Sequence, residues 1–289
     1  MKTKTINKII GMKIDQWIES IDDPSVKELA QKNTIVTGGA IASMLLNEPV
    51  NDFDIYFRTM DAVEKIGAYY VKKFCETHSH PIALEVEDGR VRIVTESGHR
   101  GETAGNIETL GSDQIDDVYE AAEALALDKE DDGPKVYAPV FLSTNAITLS
   151  NKVQLVLRFY GEPDVIHENY DFVHCTNYWT SWDRYTVLRQ AALEALLSRE
   201  LRYVGSKYPV CSVMRLRKFI KRGWTVNAGQ ILKMVMQISE LDLTDPKVLE
   251  DQLTGVDSAY FMQLISKLHE KDPEKINVGY LVEIIDRMF

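Results

Sequence analysis

The chemistry in this chain starts with Asp52 and Asp54, set two residues apart in the otherwise apolar run Asn51 to Phe57, NDFDIYF. Side chains alternate along a strand, so both carboxylates point one way while Phe53 and Ile55 point into the core. Two carboxylates on one face of a buried strand repel each other and lose hydration. A divalent cation relieves both costs, and oxygen ligands favour Mg²⁺. Upstream, Thr34 to Leu46, TIVTGGAIASMLL, reads as a short apolar strand at Ile35 and Val36, a glycine pair and a short apolar helix over Ala40 to Leu46. Gly38 and Gly39 lack Cβ atoms, so a phosphate can approach the backbone where N–H groups and the helix N-terminus form an anion site. The competing structural reading ends a strand at the glycines and leaves both aspartates on an exposed edge.

A glycine pair after a first strand, about a dozen residues, then an acidic-x-acidic pair on the next strand resembles the signature of the DNA polymerase β-like nucleotidyltransferase superfamily. The resemblance implies a third carboxylate from a later strand. Asp171, in a segment read as a strand from Tyr170 to Cys175, is the best candidate, ahead of Asp164 and Glu168. It further implies two Mg²⁺ ions, with Mn²⁺ as the alternative, held by Asp52, Asp54 and Asp171 roughly 3.5–4 Å apart for phosphoryl transfer. Asp171 would then also accept the proton of the attacking hydroxyl. Gly38 and Gly39 would hold the phosphates of an NTP such as ATP. Ser43, one helical turn on, would add a hydroxyl unless it is only a small packing residue. Gly-Gly followed by an apolar helix is closer to the variant in tRNA CCA-adding enzymes and poly(A) polymerases. The Arg-Asp dipeptide of those enzymes is missing, since Ala42 and Ser43 stand there. Much of Thr34 to Met236 also resembles nucleotidyltransferase-like proteins of large-genome bacteriophages.

A triphosphate beside carboxylates needs positive charge. Arg199 to Trp224 holds eight basic residues against Glu200, a local charge of +7. On a helix over Met214 to Trp224, Arg217, Lys218, Lys221 and Arg222 form one cationic side while Leu216, Phe219 and Ile220 pack inward. Lys218 and Lys221 are candidates for the β and γ phosphates, and Lys207 is a further one. The same face would serve an RNA backbone, or simply solvent and the acidic segment. Tyr178, Trp179, Trp182 and Tyr185 would stack a nucleobase, worth about 1–3 kcal/mol, or fill the core. His167 and His174 read as structural.

The elements that must place these residues follow from periodicity. Apolar positions at helical spacing predict a helix over Thr5 to Ile21, a second begun by Asp22-Asp23-Pro24, and another over Met60 to Thr77. Ile82 to Val86 and Val91 to Val94 form a hairpin about Asp88-Gly89. Strands follow at Val136 to Phe141, Ala146 to Leu149 and Val153 to Phe159, with a short helical turn from Glu162 to His167. Helices are expected over Asp183 to Gly205, Ser212 to Lys221, Ala228 to Glu240, Pro246 to Gln252, Ala259 to His269 and Val278 to Met288. The reading is an α+β fold, a nucleotidyltransferase-type mixed sheet flanked by helices over 1–182, followed by an all-helical domain over 183–289.

Between Gly101 and Lys135 eleven acidic residues face two lysines, so about 97–135 reads as an acidic insertion with one helix near Asp116 to Leu127. The whole chain of 289 residues carries a net charge of −11, which argues against coating nucleic acid nonspecifically. Three scattered cysteines, no secretory signal and no apolar run of membrane length point to the cytoplasm, that of the host if the chain is phage-encoded. The expected activity is Mg²⁺-dependent transfer of an NMP from an NTP to an acceptor, an RNA 3′ end, a protein or a small molecule, with release of pyrophosphate. The rival is a catalytically silent relative serving as a nucleotide sensor or phage assembly component.

Overall fold

A computed structural model describes residues 1–77, 82–87, 89–95, 137–143, 145–253 and 277–288. The acidic stretch 97–135 and the helix expected over Ala259 to His269 lie outside the described residues. The chain begins with α1 (Thr3–Glu19) and α2 (Pro24–Asn33). Asp23 starts α2 by accepting hydrogen bonds from the backbone N–H groups of Ser25 and Val26, and Pro24 occupies the first turn, where no N–H is needed. Then come β1 (Thr34–Thr37), α3 (Gly39–Leu46), β2 (Phe53–Phe57) and α4 (Met60–Thr77).

A hairpin of β3 (Ile82–Glu87) and β4 (Arg90–Thr95) forms a small sheet of its own. The main sheet is completed by β5 (Pro139–Leu142), β6 (Ala146–Leu149), β7 (Val153–Tyr160), β8 (Tyr178–Thr180) and β9 (Thr186–Val187), in the order β5-β6-β7-β2-β1-β8-β9. Only β2 and β7 run parallel; every other neighbouring pair is antiparallel. Between β7 and β8 lie α5 (Pro163–His167) and a 3₁₀ turn at Val173–Cys175. After β9 the described elements are all helical: α6 (Gln190–Ser198), α7 (Pro209–Lys221), α8 (Ala228–Ile238), α9 (Pro246–Leu253) and α10 (Val278–Met288). The fold is therefore α+β, a central mixed sheet flanked by helices. No helix among the described residues is long and apolar enough to cross a membrane.

Two apolar clusters fix where the site forms. The larger takes Ile6, Ile10, Ile14 and Trp17 from α1, Phe53, Ile55 and Phe57 from β2, and Leu155 and Leu157 from β7. Burying each such side chain contributes about 1.5–3 kcal/mol. The Trp17 indole N–H donates to the Tyr70 hydroxyl at 2.8 Å and ties α1 to α4. The second cluster joins Ala42 of α3 to Phe172, Leu196, Leu201, Tyr203, Leu216, Trp224 and Met234. Ala40, Ile41 and Met44 belong to the first cluster, so α3 is wedged between the sheet and the later helices.

The elements differ from the sequence expectation in three places. Tyr170 to Cys175 is not a strand: Phe172 makes one isolated bridge to Tyr203, and Val173–Cys175 closes a 3₁₀ turn. Phe172 is held by the side chains of the second cluster, so its apolar neighbours reflect burial and not sheet pairing. The helix expected from Asp183 is confined to Gln190–Ser198, because Tyr178–Thr180 and Thr186–Val187 extend the main sheet first. On α7, Leu216 is buried as expected, but Ile220 in the last turn is 51 % exposed.

Candidate functional site

β1 ends at Thr37, and the turn that follows admits only glycine at its first position. Gly38 has φ +96°, and a Cβ there would stand 2.9 Å from Asp54 Oδ2 and 3.6 Å from Tyr170 Oη. Its N–H donates to the Cys175 carbonyl at 3.1 Å. Thr37 Oγ1 lies 2.8 Å from His167 Nε2 and donates to the Asn177 carbonyl at 2.9 Å, which pins the end of β1 to the segment following α5. The two glycines thus differ. Gly38 has committed its N–H and permits the backbone to lie against the Asp54 carboxylate. Gly39 opens α3, is exposed, and has only open space where a Cβ would go. The first N–H groups of α3 have no intrahelical acceptors, which leaves donors directed past Gly39.

Asp52 immediately precedes β2 and Asp54 lies within it, with Phe53 and Ile55 buried on the opposite side as the alternation requires. Burial pushes the Asp52 carboxyl above the usual carboxylate range, opposed by the Lys218 ammonium and more weakly by Arg222. The same field reaches the neighbouring buried groups. Burial, then Asp54, raises Tyr56, and burial followed by Asp54 and Asp171 pushes the Cys175 thiol up to about 12. On the parallel neighbour β7 the residue in register with Asp54 is Gln154, an amide.

Asp171 is 7 % exposed and accepts from two side chains of α7. Ser212 Oγ donates to Oδ1 at 2.7 Å and Arg215 Nη1 to Oδ2 at 2.5 Å. Burial opposes the charge on Arg215, but Asp171 overrides it and holds the guanidinium protonated. Among the described residues no three of His, Cys, Asp and Glu come together as ligands for one metal ion. Asp54 lies against the Gly38 turn, while Asp171 has its own partners on α7.

α7 is a shared wall. Ser212 and Arg215 in its first two turns face Asp171, and Lys218 with Arg222 at its end acts on Asp52. Lys221 shares that last turn. Ser43 is half-buried on α3, where its carbonyl accepts from the Glu48 N–H at 2.8 Å. Lys207 belongs elsewhere: the charges that act on it are Arg90, Asp251 and Arg158. Trp179 is fully buried in the core, Tyr185 is exposed, and Trp182 lies under the Arg58 guanidinium at 4.8 Å. His167 and His174 are buried, and burial lowers each to about 4, so both are neutral at pH 7. Sequence reasoning passed over Ser212, Arg215, Tyr56 and Tyr170. The spacing 212, 215, 218, 222 was the available signal for the first two, since it draws one stripe along a helix.

Comparison with solved structures finds likenesses at low similarity. A tRNA-processing enzyme in its apo form matches with a TM-score of 0.42 at 12% identity, over 93% of this chain and 58% of its own. The Thermotoga maritima CCA-adding enzyme complexed with tRNA matches with a TM-score of 0.41 at 12% identity, over 88% of this chain and 53% of its own. By sequence, the chain is 20% identical over 265 residues to Gabija anti-defense 2 of Bacillus phage SPbetaL7, covering 91% of this chain. It spans 51% of that relative's length. The model of the Gabija anti-defense 2 family matches residues 8–199, more than half of the chain, and the chain belongs to that family.

Proposed function

We propose that this chain is a Mg²⁺-dependent nucleotidyltransferase that moves an NMP from an NTP to an acceptor and so counters the Gabija defence. The observation that carries the reading is the seat of Gly38 against Asp54, with Asp52 under the field of Lys218 and Arg222. Asp52 and Asp54 offer oxygen donors of the kind Mg²⁺ takes, one or two carboxylates with substrate phosphates and water completing the shell. Bound there, Mg²⁺ would neutralise the triphosphate and lower the pKa of an acceptor hydroxyl. The protein's own contribution is placement. The triphosphate passes over Gly39, where nothing obstructs the N–H groups of α3; Ser43 lies one turn along. Lys218, Lys221 and Arg222 supply charge from the facing helix. Asp171, through Ser212 and Arg215, fixes how close α7 stands. The acceptor hydroxyl passes its proton to water, its oxygen bonds to the α phosphorus as the bond to the bridging oxygen breaks, and pyrophosphate leaves. The acceptor is an RNA 3′ end, a protein side chain or a small molecule.

A second reading has a specific observation in its favour. Both oxygens of Asp171 are engaged and the β7 neighbour of Asp54 is an amide, an arrangement suited to holding a nucleotide without turning it over. One experiment separates the two. Each NTP is titrated with Mg²⁺ into the wild type and the Asp52→Asn, Asp54→Asn variant, and pyrophosphate is measured in extract of cells carrying Gabija. Metal-dependent binding with pyrophosphate release, both lost in the variant together with protection from Gabija, supports the transferase. Binding without release supports the nucleotide sensor. Absence of metal-dependent binding removes both.

A further inference from the structure

A second concentration of positive charge lies away from the carboxylate pair and has no role in the reaction above. Arg90 opens β4, Arg158 stands in β7, and Lys207 precedes α7. Among the described residues two of them share one carboxylate of α9: Arg158 Nη2 lies 3.2 Å and Arg90 Nη1 3.6 Å from the same oxygen, Oδ1 of Asp251. The Arg158 side chain is 8 % exposed, yet its Nη1 is buried with no hydrogen-bond partner, and the buried Tyr208 hydroxyl has none either. The Tyr208 ring lies between the cations, 3.9 Å from the Arg158 guanidinium carbon and 5.8 Å from Lys207 Nζ. Partial burial, then Arg90 and Arg158, hold the Lys207 ammonium below the usual lysine range despite Asp251.

These groups are already fixed in place. Gln252 of α9 donates to the Lys207 carbonyl at 3.1 Å and accepts from the Val210 N–H at 3.4 Å, and Tyr208 N–H donates to Ser206 Oγ at 3.0 Å. Among the described residues Arg90 and Arg158 share the Asp251 carboxylate, beside a buried guanidinium nitrogen and a buried phenol that both lack an acceptor. A buried donor without an acceptor is costly, and an anion with several oxygens satisfies donors and charge together. Burial alternates from Val153 to Arg158, so Arg158 shares the sheet face of Gln154, about 13 Å further along at the rise of a strand.

We propose that Arg90, Arg158, Lys207 and Tyr208 form a binding site for a phosphate group, separate from the Asp52–Asp54 pair. The chemical class is a phosphate oxyanion, carried by a free nucleotide or by a nucleic-acid strand. The site stands whether or not the chain transfers nucleotides. Calorimetry with the full chain in EDTA, so that no divalent ion bridges phosphate to the carboxylate pair, tests it with three probes: pyrophosphate, ATP and a short RNA oligonucleotide lacking terminal phosphates. Binding of the first two assigns the group to a free nucleotide, and binding of the oligonucleotide to a strand. Lys207→Gln should weaken binding roughly ten-fold or more, as expected for a lost charge-assisted bond. Asp251→Asn, which frees both arginines, should tighten it. Lys207→Gln should weaken binding by the same factor in the Asp52→Asn, Asp54→Asn background as in the wild type, which separates this site from the proposed active site. Thermal unfolding of each variant establishes that it folds. No binding to wild type by any probe, or unchanged binding in folded Lys207→Gln, overturns the proposal.

Discussion

Replacing Gly38 by alanine tests the geometry of the site directly. At φ +96° and ψ −147° the backbone is in a region almost reserved for glycine, and a non-glycine residue there costs about 1–3 kcal/mol. The added Cβ would also stand 2.9 Å from Asp54 Oδ2, so the carboxylate must shift or the turn must open. Overpacking of this kind adds a further cost of roughly 1–2 kcal/mol. The expected total of about 2–5 kcal/mol corresponds to a fall in melting temperature on the order of 10 °C for a chain of this size. Gly39→Ala is the matched control. Its Cβ meets nothing within 4 Å, and alanine at the first helical position is neutral to stabilising by up to about 1 kcal/mol. Thermal unfolding followed by circular dichroism, alongside Mg²⁺-dependent NTP binding, reads both variants. Gly38→Ala should lose stability and binding together, while Gly39→Ala should keep its melting temperature and lose binding. A Gly38→Ala protein that melts with the wild type, or a Gly39→Ala protein equally destabilised, would refute the assignment of separate roles to the two glycines.

Arg215→Ala leaves Asp171 with Ser212 alone and should cost about 2–3 kcal/mol in urea unfolding, with Asp171→Asn milder; equal stability of Arg215→Ala and wild type would show that the pair does not hold α7. His167 and His174 take up protons near 6.5 when unfolded but only at about 4 when folded, so the unfolded state gains as pH falls through that window. Each should remove about 2 kcal/mol by pH 5, and a urea midpoint unchanged between pH 7 and pH 5 would contradict the burial of both rings. Lys218→Met removes the largest charge opposing the upward shift of Asp52, so the acid limb of kcat/KM should move to higher pH. An unmoved limb in an active variant would separate Lys218 from Asp52.

The parts of the site that are local in sequence were legible. β1, the glycine turn, α3 and β2 follow from an apolar run, two glycines and strict alternation, and Phe53 and Ile55 are buried where the period of two puts them. Asp171 was singled out only as a candidate third carboxylate, and its partners come from a helix some forty residues on, a distance that no local pattern carries. Its segment read as a strand because Phe172 and its neighbours are apolar, whereas side chains of the second cluster bury them. β8 and β9 were missed for the opposite reason. A three-residue and a two-residue strand are too short to show a period, and only the pairing of β8 with β1 and of β9 with β8 defines them. Lys207 was grouped with Lys218 by charge density along the chain, although it lies before Pro209 opens α7 and the charges that act on it are Arg90, Asp251 and Arg158.

The C-terminal end of α7 supplies built-in counter-ions for the Asp52 carboxylate, which a dication would also neutralise. The two kinds of cation compete for one negative charge, and competition of this sort is reciprocal. A metal ion bound at Asp52 and Asp54 would weaken the attraction of Asp52 for Lys218 and Arg222, and loss of that attraction would tighten the hold on metal by the same factor. Asp171 sets the fulcrum, since it grips the other end of the helix through Ser212 and Arg215. A triphosphate arriving with such a metal would restore to the helix the anion that the metal takes, so nucleotide and ion would each favour the binding of the other.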